Sequence, residues 1–344
     1  MKVIIPCAGK SSRFPNTRPK YLLTMPDGRM MLQHAADRYI QNGDDVTFVV
    51  VKQHCDEYQS EYAIRKAYGD KVQIVVLEDF TSGPAETIYQ VISNWNENVP
   101  FAVNDCDGFF DFEISPTNYV VYVELHKYPN MRYVSAKSFI KVVDGTAIEI
   151  IEKQVSSQYV CVGGYGFDSS DGFMKSYESL RVSHIGEMYI SHIIKNMIDN
   201  GHKFNAIEGN DYIDCGTYDS YVENMRNHMS IFCDIDGIIF KNQSRYFKNG
   251  HDTPPVINQS AIDFLKDKIK LGATVIFTTA RSEDVSEVTE RAIREAGIHD
   301  FRILYGLPHA PRLLINDVHF SNPWPAASAI NAPRNDNDFW KMFK

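Results

Sequence analysis

The sequence predicts an α/β protein of two domains, each a mostly parallel sheet flanked by helices, and three observations carry that prediction. Short apolar runs of strand character alternate with longer helical stretches from the N-terminus onward, the pattern of strand–helix–strand units. A fresh apolar run ending in clustered acids, Ser230–Gly237, follows a helical stretch with no linker composition between them, so a second sheet starts there. A chain of 344 residues is also long for one domain. The division falls between residues 1–229 and 230–344.

Composition narrows the classes. The 44% hydrophobic content is ordinary for a soluble globular protein. No apolar run has the length of a membrane span, and Met1-Lys2-Val3 leads directly into a strand, so no signal peptide is expected. A net charge of −9 argues against a general nucleic-acid binder, leaving any phosphate ligand to local cation clusters. Cys7, Cys55, Cys106, Cys161, Cys215 and Cys233 form no CxxC pair, and most sit in apolar strand-like runs. They read as small core residues in a reducing cytoplasm, not as a zinc site.

Taken in order, Val3-Ile4-Ile5 suits a buried parallel strand. The small-residue turn through Ala8, Gly9, Lys10, Ser11 and Ser12 lets backbone N–H groups point at a phosphate. Arg13 and Lys20 can neutralise charge on a triphosphate as it is cleaved, and Pro15 and Pro19 discourage helix between them. Neither the GxxxxGKS/T nor the GxGxxG spacing is present. Met31–Ile40 reads as a helix stopped by Asn42-Gly43, Val46–Val51 as a strand, Glu57–Tyr68 as a helix closed by Gly69, and Val72–Leu77 as a strand. Ligands belong at the carboxyl ends of such strands.

Gly83-Pro84 starts the next helix, with proline in its first turn. Phe101–Val103 runs into Asn104-Asp105-Cys106-Asp107, and carboxylates at a strand's carboxyl end suit Mg²⁺. Tyr119–Glu124, Tyr133–Val143 and Thr146–Ile151 read as strands, the last two joined by the hairpin turn Asp144-Gly145 and followed by Glu152-Lys153. In the strand Tyr159–Phe167, Gly163-Gly164 leaves backbone bare for a ligand. Gly186-Glu187-Met188-Tyr189 opens a helix reaching about Asp199, Tyr212–Asp214 is a strand end before Cys215-Gly216-Thr217, and Tyr218–Met229 is helical.

The opening strand with Ala8-Gly9, Arg13-Phe14 and Pro19-Lys20 before Leu22-Leu23 resembles the signature loop of the sugar-phosphate nucleotidyltransferases, or nucleotide-sugar pyrophosphorylases. Those enzymes join an NTP to a phosphorylated sugar or alcohol and release pyrophosphate. The resemblance covers about residues 1–229. It implies a Rossmann-like nucleotidyltransferase domain in which Ala8 and Gly9 meet the nucleotide and Gly83 lets the backbone approach the base. It implies that Asp107 and Asp214 jointly hold Mg²⁺ against the α-phosphate. Arg13 would stabilise the leaving phosphates, Lys20 and Lys153 would orient phosphates or acceptor, and Glu187 would touch the sugar. Such activated sugars or alcohols usually feed capsule or surface-glycan synthesis. Plain alternatives stand beside these: Glu152-Lys153 as an exposed ion pair, Gly186-Glu187 as a helix start. Asp105 is a second metal candidate, and Asp105-Cys106-Asp107 is also a DxD triplet, as in metal-dependent glycosyltransferases. That rival leaves Arg13, Pro19-Lys20 and the Asp214 motif unexplained. The implied partners are an NTP and a phosphorylated sugar or alcohol, with no nucleic acid and no membrane; a homo-oligomer is left open, as are the base and the acceptor.

In the second domain, Ser230–Gly237 is a fresh strand ending in Asp234-Ile235-Asp236-Gly237. The spacing puts both carboxylates on one side just past the strand, where one can attack phosphorus and the other serve as acid and base. Thr274–Phe277 is a strand before Thr278-Thr279-Ala280-Arg281, and Leu313–Ile315 another before Asn316-Asp317. This set resembles the haloacid-dehalogenase-like phosphatases over about residues 230–344. The resemblance implies Asp234 as nucleophile, Asp236 as acid/base, Thr278 as phosphate-binding hydroxyl, and Asp317 with Asp234 and Asp236 as Mg²⁺ ligands. Two departures matter. Ile238 stands where Thr or Val is usual after DxDG, and Gly306-Leu307-Pro308 replaces the usual Gly-Lys-Pro, leaving Arg281 or Arg312 to supply the missing charge. The domain is then a slow or unusual phosphatase, or a non-catalytic docking module. The stretch Lys241–Val256 is too short for a large cap, so the site is expected to be open.

Overall fold

A computed structural model describes residues 1–241, 244–246, 248, 250–317 and 326–343. They form two compact units, Met1–Tyr221 and Val222–Lys344.

The first unit begins with β1 (Lys2–Pro6), α1 (Met31–Gln41), β2 (Asp45–Val51), α2 (Lys52–Tyr58), α3 (Ser60–Tyr68), β3 (Gln73–Leu77), α4 (Pro84–Ile92) and β4 (Phe101–Asn104). It continues with β5 (Gly108–Asp111), β6 (Tyr119–Glu124), β7 (Phe139–Val143), β8 (Thr146–Ile151), β9 (Tyr159–Phe167), α5 (Ser170–Arg181), α6 (Ile190–Asp199), β10 (Phe204–Glu208), β11 (Asn210–Asp214) and the start of α7 (Tyr218–Asn227). Nine strands make one sheet in the order β3-β2-β1-β4-β9-β6-β10-β8-β7. Val3, Ile4 and Ile5 are all fully buried because β1 is central and both faces are covered. Ile4 packs with Ile88 and Ile92 of α4 and Ile193 and Met197 of α6, while Val3 and Ile5 pack with Leu32 and Ala36 of α1 and Ile64 of α3.

The expectation of a mostly parallel sheet is corrected here. β3-β2-β1-β4 is parallel, but β9 runs antiparallel to both β4 and β6, and β7, β8 and β10 add further antiparallel pairs. The cause is local: β7 and β8 are joined by a two-residue turn, Asp144 at φ 47° and Gly145 at φ 73°, which forces antiparallel pairing. β5 and β11 leave the main sheet and pair with each other, with Asp214 opposite Gly108.

Other boundaries differ for identifiable reasons. The expected helix 57–68 is two helices. Lys52 continues straight from β2 into α2, and Gln59 at φ 56° turns the chain before Ser60 and Ile64 enter the core. The expected strand 133–143 starts only at Phe139, because Tyr133 lies at φ 51° and Val134–Ala136 is a 3-10 turn. The sequence reading passed over α5, capped by Ser169 accepting from the Gly172 N–H at 3.0 Å, and β10.

The second unit holds β12 (Ser230–Asp234), α8 (Gln259–Lys270), β13 (Thr274–Thr278), α9 (Ser286–Glu295) and β14 (Arg302–Leu304). The strands pair in parallel in that order. Ile235, Phe240, Ile262, Leu265, Phe277 and Ile293 form its core, and Trp340 packs on Phe264 at 5.1 Å between ring centroids. The expected strand Leu313–Ile315 is not formed. Leu313 and Ile315 are 81% and 84% exposed on irregular chain, and Arg302–Leu304 is the third strand instead. Pro308 and Pro311 keep the approach to Leu313 out of regular pairing.

Candidate active site

The loop after β1 turns twice without forming helix. Ser11 takes φ 50°, its carbonyl accepts from the Phe14 N–H at 2.8 Å, and its hydroxyl accepts from the Lys20 N–H at 3.1 Å. Phe14 is buried edge-on against Tyr218 and tilted against Tyr221, which anchors the loop. Ala8 is buried, whereas a Cβ at Gly9 would meet nothing within 4 Å; the space beside Gly9 is open to a ligand. Arg13 is exposed and lines a cleft with Asp105, Asp107, Lys137, Glu152, Tyr189 and Asp214.

Lys20 and Asp107 form an ion pair. Burial opposes both charges, but each partner stabilises the other, so the Lys20 ammonium is held above its ordinary range and the Asp107 carboxyl below its own. Asp107 and Asp214 converge: a Cβ on Gly216 would lie 3.2 Å from Asp107 Oδ2 and 3.2 Å from Asp214 Oδ1. The β5–β11 pairing causes this, fixed by the Cys215 N–H donating to the Asp107 carbonyl at 2.8 Å. The Gly216 N–H donates to Asp214 Oδ1 at 3.0 Å.

Asp105, two residues from Asp107, has a different environment. Its N–H donates to the Gly163 carbonyl at 2.8 Å, and its carboxyl lies against Gly163. Gly163 sits at φ 92°, and a Cβ there would be 2.5 Å from Asp105 Oδ2, so only glycine fits. Burial, with the Asp107 charge behind it, pushes the Asp105 carboxyl up to about 7.

Glu152 and Lys153 follow directly on β8. Glu152 accepts hydrogen bonds from the Ser138 and Ser191 hydroxyls. Lys153, at φ 52°, donates to the Tyr189 hydroxyl, which in turn donates to Glu187. Burial and then the Glu187 contact push the Tyr189 phenol up. Gly83 is a point of close approach: a Cβ there would stand 2.7 Å from the Met188 carbonyl oxygen, to which the Ala85 N–H donates at 3.1 Å.

Sequence reasoning missed Lys137. Its ammonium lies 2.9 Å from Asp214 Oδ2 and donates to the Tyr212 hydroxyl at 2.9 Å. Reading 133–143 as one strand hid it. The available signal was Lys137-Ser138 beside a chain reversal, which is weak.

In the second unit, Asp234 ends β12 opposite Thr278 at the end of β13, and Thr278 is buried. Burial pushes the Asp234 carboxyl up, against the charge of Arg312 at 3.8 Å. Arg281 is wholly buried and grips Asp236 through both oxygens, Nε to Oδ2 at 2.8 Å and Nη2 to Oδ1 at 2.7 Å. Of the two candidate replacement cations, Arg312 therefore faces Asp234 and Arg281 faces Asp236. Asp317 is exposed on the irregular stretch, and among the described residues no group of three or more His, Cys, Asp or Glu side chains gathers as a metal-ligand set. The expected trio of Asp234, Asp236 and Asp317 is thus not brought together, because the strand meant to deliver Asp317 is not formed. Among the described residues no helix is long and apolar enough to cross a membrane.

Residues 3–111 match the model of the MobA-like NTP transferase domain. No curated protein sequence matches the chain. Among the solved structures that share the fold are the following three. The nucleoside-diphosphate-sugar pyrophosphorylase from Vibrio cholerae RC9 is 22% identical over 65% of this chain and 99% of its own, with a TM-score of 0.56. The inositol-1-phosphate CTP transferase from T. maritima is 12% identical over 64% and 90%, with a TM-score of 0.53. A UDP-glucose pyrophosphorylase complexed with UDP-glucose is 17% identical over 64% and 96%, with a TM-score of 0.50. Residues 3–111 are thus similar to an NTP transferase domain, and over about two thirds of its length the chain shares the fold of solved nucleotide-sugar pyrophosphorylases.

Proposed function

We propose that the first unit is a Mg²⁺-dependent nucleotidyltransferase joining an NTP to a phosphorylated sugar or small alcohol, with release of pyrophosphate, in the service of surface-glycan synthesis. The observation that carries this is the cleft where Arg13, Lys20 and Lys137 surround the convergent carboxylates of Asp107 and Asp214. Two hard anionic donors lining a cleft fit Mg²⁺, which takes one or two carboxylates and completes its shell with water and phosphate oxygens. When bound, that ion would neutralise charge developing on the α-phosphate. The chain's own residues do the rest. The open backbone at Gly9 receives phosphates, Arg13 and Lys20 take up charge on the leaving pyrophosphate, and Lys153 with Tyr189 orients the acceptor phosphate. Asp105, turned against Gly163, favours a single metal aspartate at this strand end over a DxD pair. Screening NTPs against a panel of sugar and alcohol phosphates, with pyrophosphate as the readout, tests the reading; no pyrophosphate from any combination would overturn it.

For the second unit we propose a slow, Asp234-dependent phosphatase. Its support is a half-exposed carboxylate at a parallel strand's carboxyl end, beside Thr278 and within reach of Arg312. Leu307 in place of the usual lysine, and an exposed Asp317 that joins no group of three ligand side chains among the described residues, would make its turnover low. Wild type should release phosphate from sugar bisphosphates with Mg²⁺, and Asp234→Asn should release none while keeping pyrophosphate formation. Equal release by both proteins would leave the unit a docking module.

A further inference from the structure

We propose that Lys137 is the resident counter-ion of Asp214, and that it suppresses metal binding to the Asp107/Asp214 pair until polyphosphate is present. The inference rests on the assignment of those two aspartates to the metal. Lys137 follows the 3-10 turn Val134–Ala136, and its N–H is tied to the Val134 carbonyl at 3.1 Å, so its backbone is fixed while its side chain reaches across the cleft. The ammonium is 2.9 Å from Asp214 Oδ2 and 5.5 Å from the centre of the Tyr212 ring. Lys20 stands on Asp107 in the same way, and all four side chains are between 15% and 19% exposed. These four side chains carry no net formal charge among themselves, and Arg13 adds a further cation to the same cleft.

A divalent cation arriving alone meets two carboxylates whose charge is already matched by their lysines, with Arg13 nearby. It must separate two largely desolvated ion pairs, and its own attraction to the carboxylates is offset by repulsion from the ammonium groups. Arriving with a polyphosphate changes the balance, because each displaced lysine then has phosphate oxygens to move to. A lysine suits that exchange: its charge is compact, its stem is flexible, and it makes no fixed two-point grip. Asp214 keeps its orientation when Lys137 leaves, since Oδ1 stays bound to the Gly216 N–H.

The test is titration of the nucleotide-free protein with Mn²⁺ alone, read by water-proton relaxation. Lys137→Met should bind Mn²⁺ at least about 10-fold more tightly than wild type, in line with removal of a partly buried like charge, and adding Asp214→Asn should abolish the gain. Lys137→Gln, which keeps a polar side chain for Tyr212, should reproduce the tighter binding if Lys137→Met does not fold. Unchanged or weaker Mn²⁺ binding in the folded variant overturns the role of Lys137, and so does a gain that survives Asp214→Asn. If Asp214→Asn by itself leaves pyrophosphate release intact, the metal assignment falls instead, and the two failures are told apart.

Discussion

Each unit presents a pair of aspartates at strand ends, and the cations set against them differ in kind. Asp107 and Asp214 are met by lysines in a cleft open to solvent. Asp236 is met by an arginine that is wholly buried and bonded through both carboxylate oxygens, with a third contact to the Thr289 hydroxyl at 3.3 Å. A lysine is a point charge that can be exchanged; a two-point guanidinium grip sets the plane of its partner and resists exchange. The first arrangement suits charges that must be handed to a substrate. The second suits a carboxylate whose orientation is part of the fold.

That contrast can be broken at several places. The largest effect belongs to Arg281→Met, which strands Asp236 beside a core and should destabilise the second unit by about 3–5 kcal/mol in urea unfolding, while Arg281→Met/Asp236→Leu recovers most of the loss. A destabilisation of under about 1 kcal/mol would mean the grip is not structural. Next comes Arg13→Ala, expected to lower pyrophosphate release by at least about 10²-fold in a folded protein. Lys20→Met should do the same at a smaller stability change than Arg281→Met, because Lys20 keeps some contact with solvent whereas Arg281 is wholly buried. A Lys20 variant that unfolds instead of losing turnover would erase the difference between the units. The smallest effect is assigned to Asp105→Asn, within about 10-fold of wild type, against Asp107→Asn at about 10² or more. The reverse order would restore the DxD register.

The parallel half of the first sheet was legible because β1, β2 and β4 are short apolar runs buried on both faces, and Asn42-Gly43 and Gly83-Pro84 punctuate the helices between them. In the antiparallel half the strands Tyr119–Glu124, Thr146–Ile151 and Tyr159–Phe167 were legible at their observed bounds, but the antiparallel pairing showed only at the Asp144-Gly145 turn. β10 escaped because Phe204–Glu208 buries one side chain fully and leaves the rest partly exposed. Arg13, Lys20, Asp107 and Asp214 were readable because each sits in a turn or strand end with its own local pattern. Lys137 was not, since its place depends on a strand beginning six residues late, at Phe139 instead of Tyr133. Arg281 was named for its charge, but nothing local foretold that it would turn inward onto Asp236.

The close approach at Gly83 has an engineering consequence. The start of α4 and the 187–190 segment are joined backbone to backbone, with no side chain in between to absorb change. Grafting a foreign loop onto either wall of the cleft would import a new spacing at this seam. Residues 83–85 and 187–190 therefore have to be transplanted as one piece, and a graft that preserves every cleft side chain but splits that piece would misplace both segments together.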